Sequence, residues 1–179
     1  MRVAKGKAWK FGHDLDRDRD IFPFRYIQQL NSGVPIEKLL CHVMETVNPE
    51  FGAGVRKGDF IVAGRNFGRG QDHREGLQCL KLLGISAIIA ESIAASVFKH
   101  GVYLGLPIFI REGVTEKIEM GDDLEVNLDT GEVKNISSGE TFRVEPTVPP
   151  GHPLFPVMKA GGQIGYVKMK VANSKKRVK

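Results

Sequence analysis

The sequence predicts a mixed α/β fold with a parallel βαβαβ core and an antiparallel β flank. Short apolar runs at 59–63, 86–90 and 107–110 have strand character, and helical patterns separate them. This alternation of strand and helix is typical of parallel pairing. Beyond residue 120, short segments alternate apolar with polar residues between glycine-containing turns, which favours an antiparallel meander.

The amino-terminal third is expected to begin with a strand at 3–11. A charged loop follows at 13–20, and its alternating signs indicate a solvated, self-paired segment rather than a metal site. Residues 36–47 then place apolar side chains at helical spacing, directly after Pro35. Because proline suits the first helical position, we expect a helix there.

The two crossover helices have recognisable ends. Helical spacing of Leu77 and Leu80 predicts the first helix, and Gly84 ends it. Ser92 is placed to cap the second helix, which is expected to end at Gly105.

A short final helix is expected at 154–159, inside a predicted domain at 1–167. Residues 168–179 then form a predicted basic C-terminal tail. The chain has 179 residues and a formal net charge of +5, and the rest of the chain is near neutral without this tail. The tail contains no acidic residue, and its basic residues are Lys168, Lys170, Lys175, Lys176, Arg177 and Lys179. Such a terminus indicates a solvated tail rather than nucleic-acid binding, with an anionic partner as the alternative.

The composition favours a cytoplasmic protein without membrane association. No apolar segment approaches the roughly 20 residues needed to cross a bilayer, and residues 1–6 lack the apolar core of a secretory signal. Cys41 and Cys79 have no metal-type spacing and lie in apolar helical patterns. We expect both to be buried thiols in a reducing compartment.

The most informative segment is a glycine-rich loop at 64–76 between a strand and a helix. Glycines there, including Gly68 and Gly70, let the backbone approach a ligand without interference from a Cβ atom. A helix beginning near His73 would present free N–H groups to an anion. The polar side chains at this mouth belong to Gln71, Asp72, His73, Arg74 and Glu75. The segment predicts a carboxylate-binding site with acid and base groups.

Five segments carry a resemblance to a known family. Residues 64–70 match the motif G-x-N-F-G-x-G, and residues 84–92 match G-I-x-A-[VI]-I-A-x-S. Residues 15–26 resemble I-D-T-D-x-I-I-P-x-R-Y with one extra residue, and 121–126 and 159–162 fit later segments. The chain resembles the small subunit of 3-isopropylmalate dehydratase, equivalent to the swivel domain of aconitase. The resemblance implies a swivelling β/β/α domain.

The resemblance also implies a reaction and a partner. Members of this family dehydrate and rehydrate a hydroxy-diacid such as 3-isopropylmalate, in leucine biosynthesis. A separate large subunit carries a [4Fe-4S] cluster that binds the substrate, and the small subunit closes over it with a base and cationic carboxylate contacts. Two cysteines are too few for a Cys-ligated cluster. We therefore expect no cofactor and no metal in this chain, and a hetero-oligomer with the iron–sulfur subunit.

The loop departs from the family where the chemistry should lie. The family usually reads S-S-R-E-H-A at the positions of residues 71–76. Aligned without a gap, Gln71 replaces the serine base and His73 replaces the substrate-binding arginine. With a local shift, Arg74 and Glu75 become the family's Arg-Glu pair. Neither alignment restores a serine, and the amide of Gln71 has no useful basicity.

Asp72 and His73 are therefore the candidate proton-transfer residues. Asp72 has an alternative role as the N-cap of a capping box with Glu75. Arg74 is the favoured carboxylate ligand, because arginine suits bidentate carboxylate binding. The remaining predicted substrate-binding residues are Gln71, Asn66, Gly68, Gly70 and Arg25.

Two other functions stay open at this point. One is a related hydro-lyase acting on another hydroxy-diacid, of the homoaconitate or dimethylmalate type. The other is a non-catalytic binding or assembly subunit, which the missing serine favours.

Overall fold

A computed structural model describes residues 2–177, and its strands form an eight-stranded mixed sheet. The strands are β1 (Val3–Lys10), β2 (Phe60–Ala63), β3 (Ala87–Ala90), β4 (Ile108–Ile110), β5 (Asp123–Asn127), β6 (Glu132–Asn135), β7 (Thr141–Arg143) and β8 (Glu145–Pro146). Their order across the sheet is β7-β6-β5-β1-β2-β3-β4-β8. Strands β1 to β4 are parallel, and the other neighbours pair antiparallel. The predicted parallel core and antiparallel flank are thus two halves of a continuous sheet.

The helices are α1 (Phe24–Asn31), α2 (Phe51–Gly54), α3 (Glu75–Leu82), α4 (Ala95–Leu104), α5 (Phe155–Lys159) and α6 (Gln163–Arg177). A π-helical turn covers Arg17–Ile21, and 3₁₀ helices cover Ile36–His42 and Val114–Glu116. None of the helices in the described chain is long and apolar enough to cross a membrane.

The prediction of an α-helix over 36–47 was wrong in type and length. A 3₁₀ helix ends at His42, and the backbone of Val43 is extended. Met44 then adopts a φ of 61°, which no right-handed helix allows. Its side chain is fully buried, so tertiary packing of the apolar residues overrides the helical spacing.

The starts of the crossover helices also differ from expectation. Helix α3 begins at Glu75, two residues later than expected, and Arg74 precedes it without a side-chain cap. Ser92 does not cap α4, because its hydroxyl instead accepts the backbone N–H of Asn66 at 2.9 Å. The predicted end at Gly105 is confirmed, with the left-handed φ of 64° that glycine accommodates.

Two apolar clusters lie on opposite faces of the sheet. Alternation along β2 sends Ile61 to the face that helices α3 and α4 cover, and Phe60 to the other face. On that second face, Leu124 and Val133 of the antiparallel flank pack with Phe60. The parallel strands are therefore buried on both sides, and the strand ends remain to carry polar groups.

The two cysteines differ in burial. Cys79 in α3 is buried, and burial raises the pKa of its thiol to about 12. Cys41 is exposed, so the expectation that both thiols are buried was wrong. Its position on a 3₁₀ helix, rather than on an α-helix, changes which side chains face the core.

Helix α6 includes residues 168–177, which the charge pattern assigns to a basic tail. The side chains at 167–174 are exposed. The division at residue 167 stays a prediction, and residues 178 and 179 lie outside the described part of the chain.

Candidate functional site

Two loops meet at the carboxyl ends of the parallel strands, where open α/β sheets usually bind ligands. The charged loop follows β1, and the glycine-rich loop follows β2. Their backbones are bonded together, since the N–H of Gly68 donates to the oxygen of Leu15 at 2.9 Å. The N–H of Arg17 donates to the oxygen of Arg69, also at 2.9 Å. The sheet thus holds both loops as one surface.

The loop glycines are explained by contacts within the protein. A Cβ atom on Gly68 would lie 2.4 Å from Cγ2 of Val97 in α4, and one on Gly70 would lie 2.7 Å from Oδ2 of Asp16. Both also have positive φ values, of 73° and 97°. Close packing of the loop therefore requires both glycines, and their contact with a ligand stays a prediction.

The charged loop is not the solvated segment that its sequence indicates. Arg17 is 2% exposed and Asp20 is buried, because the π-helical turn directs them inward. Asp16 begins this turn and accepts the N–H groups of Asp18 and Arg19 at 2.9 and 3.2 Å. The turn lies where the sequence has one extra residue relative to the family motif. π-helical turns often occur at functional sites.

Arg17 connects three elements at the mouth. Its Nη1 lies 3.3 Å from Oδ1 of Asp72 and 3.4 Å from the carbonyl oxygen of His73. Its Nη2 donates to Oγ of Ser96 in α4 at 2.6 Å. Its Nε is buried and has no partner among the described residues. Sequence reasoning missed Arg17, although the extra motif residue beside it was a signal.

Three side chains that can donate hydrogen bonds surround Asp72. Besides Arg17, Lys99 Nζ donates to its Oδ2 at 2.5 Å, and His100 Nε2 lies 3.4 Å from its Oδ1. The hydrogen bond from Lys99 lowers the pKa of this carboxyl group, and the charges of His100 and Lys99 add to the effect. Asp72 is therefore ionised and a weak base near neutral pH.

The alternative role of Asp72 as a helix cap was wrong. Residue Arg74, not Asp72, occupies the N-cap position of α3, and no side chain caps that end. The ion pairs with α4 and the π-helical turn hold Asp72 away from the first turn of α3.

His73 has the geometry of an oriented base. Its Nδ1 lies 2.7 Å from Oδ1 of Asp18, and its ring stacks on Phe24 with centroids 5.5 Å apart. Because a carboxylate only accepts, Nδ1 is the donor in this contact, and the neutral form of the ring has its lone pair on Nε2. That Nε2 has no partner within the described residues. Of the two proton-transfer candidates, His73 has the better geometry.

The other predicted residues are more widely spread. Gln71 is exposed at the mouth, beside Asp72. The guanidinium of Arg74 lies over the ring of Tyr103, 5.9 Å from its centroid, and not against the cluster around Asp72. Arg25 pairs with Glu45 and lies over the Tyr26 ring. The substrate-binding roles of Gln71, Arg74 and Arg25 stay predictions.

Asn66 shapes the loop. It has a φ of 58°, and its Nδ2 donates to Oδ1 of Asp14 at 2.7 Å. This bond joins the two loops at a further point. Within residues 2–177, no three His, Cys, Asp or Glu side chains are grouped so that they could hold a metal ion.

Known proteins resemble this chain over nearly its whole length. The "Isopropylmalate/citramalate isomerase small subunit" of Methanocaldococcus jannaschii is 39% identical over 172 residues, covering 96% of this chain and 98% of that protein. The "3-isopropylmalate dehydratase small subunit 2" of Archaeoglobus fulgidus is 42% identical over 163 residues, covering 91% and 93%. The "Methanogen homoaconitase small subunit" of Methanothermobacter thermautotrophicus is 37% identical over 164 residues, covering 92% and 90%. No family model matches the chain.

A solved structure agrees with these relatives. The crystal structure of 3-isopropylmalate dehydratase from Methanocaldococcus jannaschii superposes with a TM-score of 0.85 at 33% identity. The match covers 98% of this chain and 99% of that one. The predicted α/β fold with a parallel core and an antiparallel flank is confirmed.

Proposed function

The chain belongs to the family of 3-isopropylmalate dehydratase small subunits, and we propose that it removes water from, and returns it to, a hydroxy-diacid such as 3-isopropylmalate. It is a hydro-lyase subunit by family. The main support for the proposal is that this chain matches known small subunits over nearly their whole length, both in sequence and in structure. The homoaconitase relative favours a related hydroxy-diacid as the second candidate substrate.

The proposed partner is a large subunit that holds the [4Fe-4S] cluster. A Cys-ligated cluster takes three or four thiolates, and this chain has two cysteines. Cys79 is buried in the core and its thiol pKa is raised to about 12, so it is a poor ligand. These residues do not fit a cluster, and we assign it to the large subunit. The cytoplasmic location expected from two free thiols is part of the proposal.

We assign proton transfer to His73 rather than Asp72. Asp18 orients the imidazole, and Nε2 is left to take a proton from the substrate or return it. Asp72 is held ionised by Lys99, which makes it a poor base. Gln71 stands in the exposed mouth with an amide that can orient a substrate oxygen but cannot move a proton.

The test is co-expression with the iron–sulfur large subunit and assay of a panel of hydroxy-diacids. The panel comprises the hydroxy-diacids 3-isopropylmalate, citramalate and dimethylmalate, for which formation of the unsaturated diacid is followed by its absorbance. It also includes homoaconitate, an unsaturated acid whose hydration is followed by the loss of that absorbance. We expect turnover of at least one of them, and a loss of roughly a hundredfold in His73→Asn. A complex with an intact cluster that converts none of them would overturn the proposal and favour a non-catalytic subunit.

A further inference from the structure

The three side chains around Asp72 belong to elements other than its own loop. Arg17 lies on the π-helical turn, while Lys99 and His100 lie on α4. The distances to the Asp72 carboxylate are 3.3 Å from Arg17 Nη1, 2.5 Å from Lys99 Nζ and 3.4 Å from His100 Nε2. The carboxylate therefore fills a site that the rest of the fold builds.

The carboxylate and its site differ in exposure. The side chain of Asp72 is 51% exposed, whereas Arg17 and His100 are buried. Residues 69–72 of its loop are exposed as well. Arg17 and His100 are thus fixed by packing, while the carboxylate reaches them from the solvent side on an exposed loop.

Unmet hydrogen-bonding capacity is concentrated around the same place. Among the described residues, four buried side-chain polar atoms have no partner, and three of them are Arg17 Nε, His100 Nδ1 and Glu75 Oε2. The carboxylate of Glu75 lies close enough to His100 to affect its pKa. Buried polar atoms in native proteins are nearly always bonded, so such a group of exceptions needs a ligand or water to explain it.

We propose that Arg17, Lys99 and His100 form a carboxylate-binding site for the substrate, and that Asp72 is its resident carboxylate, which a substrate carboxylate displaces. This inference rests on the proposed function in taking the substrate to be a diacid. Asp72 is tethered, so it competes at a high effective concentration and lowers the apparent affinity of every free anion.

This competition selects diacids over monoacids. A monocarboxylate offers the site no more than Asp72 does, and it also loses translational freedom on binding. A diacid that places one carboxylate in the site keeps a second carboxylate for contacts at the exposed mouth. Its binding free energy is therefore more favourable than the interaction of the tethered Asp72 with the site.

The proposal is tested by the binding of malonate and acetate to the isolated full-length chain, measured by calorimetry. In Asp72→Asn, we expect malonate to bind at least tenfold more tightly than in the unaltered chain, and acetate binding to become detectable. Asp123→Asn is the matched control, because Asp123 begins β5 in the antiparallel flank and also pairs with an exposed lysine, Lys7, at 3.1 Å. It should bind malonate as the unaltered chain does.

A second variant identifies the site. Lys99 is exposed, so Lys99→Met should leave the melting temperature unchanged. Added to Asp72→Asn, it should reverse most of the gain in malonate affinity. If Asp72→Asn melts normally but binds malonate no more tightly, or if Lys99→Met leaves the gain intact, the proposal is overturned.

These binding measurements do not depend on turnover. An inactive complex would therefore contradict the proposed function without affecting this inference. In an active complex, Asp72→Asn should lower the KM for the diacid while kcat stays within a few-fold. A large loss of kcat at unchanged KM would instead identify Asp72 as the base and overturn the inference.

Discussion

The proposed role of His73 depends on Asp18, which precedes it by 55 positions in the chain. Asp18 lies on the π-helical turn, and its carboxylate fixes which ring nitrogen of His73 carries the proton. Stacking on Phe24 fixes the plane of the ring. The proton-transfer group is therefore held from outside its own loop, and the loop alone does not determine its chemistry.

Replacing Asp18 by Asn tests this dependence. The amide can donate to Nδ1, which would favour the tautomer with the proton on Nε2 and remove the basic lone pair from the mouth. We expect kcat in the complex to fall by roughly tenfold or more, with KM little changed. Kinetics of the assembled enzyme check this, and Asp123→Asn serves as the control. Full activity in Asp18→Asn would remove His73 from the proposed role.

The sequence predicts a polar mouth at this edge of the sheet but not the contacts within it. Gln71, Asp72 and His73 are predictable there, because a glycine-rich loop after a buried strand opens at a sheet edge. The interpretation of Asp72 as a cap followed from local spacing, which cannot include Lys99 or Arg17 from other elements. Arg17 was missed for the same reason, since only the folded turn shows that it is buried.

At the scale of elements, the loop glycines couple the glycine-rich loop to α4. Gly68 packs against Val97, which precedes Lys99 and His100 on the same helix. A shift of the loop at Gly68 would therefore change how Asp72 contacts Arg17, Lys99 and His100.

Gly68→Ala should destabilise the protein and disturb the site. The added Cβ meets a buried, branched side chain at 2.4 Å, and alanine is strained at a φ of 73°. We expect a loss of about 1–3 kcal/mol in the free energy of unfolding. Gly12→Ala is the control, because its Cβ would meet nothing within 4 Å. Denaturant unfolding of both variants measures the difference, and equal stabilities would contradict this account of the loop.

Elements buried on both faces were the easiest to predict. Strands β2 and β3 are continuous apolar runs because helices and the flank cover both their sides. The segment 36–47 was harder, because burial of Met44 at a positive φ ends its helix early. Helix α6 was not predicted, since its basic, small and polar residues resemble a tail.

Removing 168–179 tests the predicted boundary at residue 167. The side chains at 167–174 are exposed, so little core is lost with them. We expect the shortened chain to keep its fold, with a melting temperature within about 2 °C of the full chain. A much larger drop would place α6 inside the domain.

At the scale of the whole molecule, charges set the response to acid. Hydrogen bonding and charge from Lys5 hold the pKa of Glu125 below its ordinary value. Burial opposes ionisation of Asp129, yet hydrogen bonds from Arg2 keep its pKa low as well. A carboxyl group with a lowered folded pKa stabilises the fold above its unfolded pKa of about 4. This contribution is lost as the pH falls through the folded pKa.

His100 affects the stability at a higher pH than the carboxyl groups do. Burial lowers its pKa, although the charge of Asp72 opposes this. Lys99 and Arg17 lower the pKa further, and Glu75 raises it. The unfolded chain therefore takes up a proton at His100 near pH 6.5 while the folded chain does not, so stability starts to fall there.

We therefore expect the melting temperature to decline in two stages, first below about pH 6.5 and then more steeply below about pH 4. His100→Gln should remove the first stage and keep the second, because the carboxyl groups are unaltered. Thermal unfolding followed by circular dichroism from pH 8 to pH 3 measures both stages. A first stage that persists in His100→Gln would assign it to another group, and the burial of a neutral imidazole beside Asp72 would no longer explain the acid response.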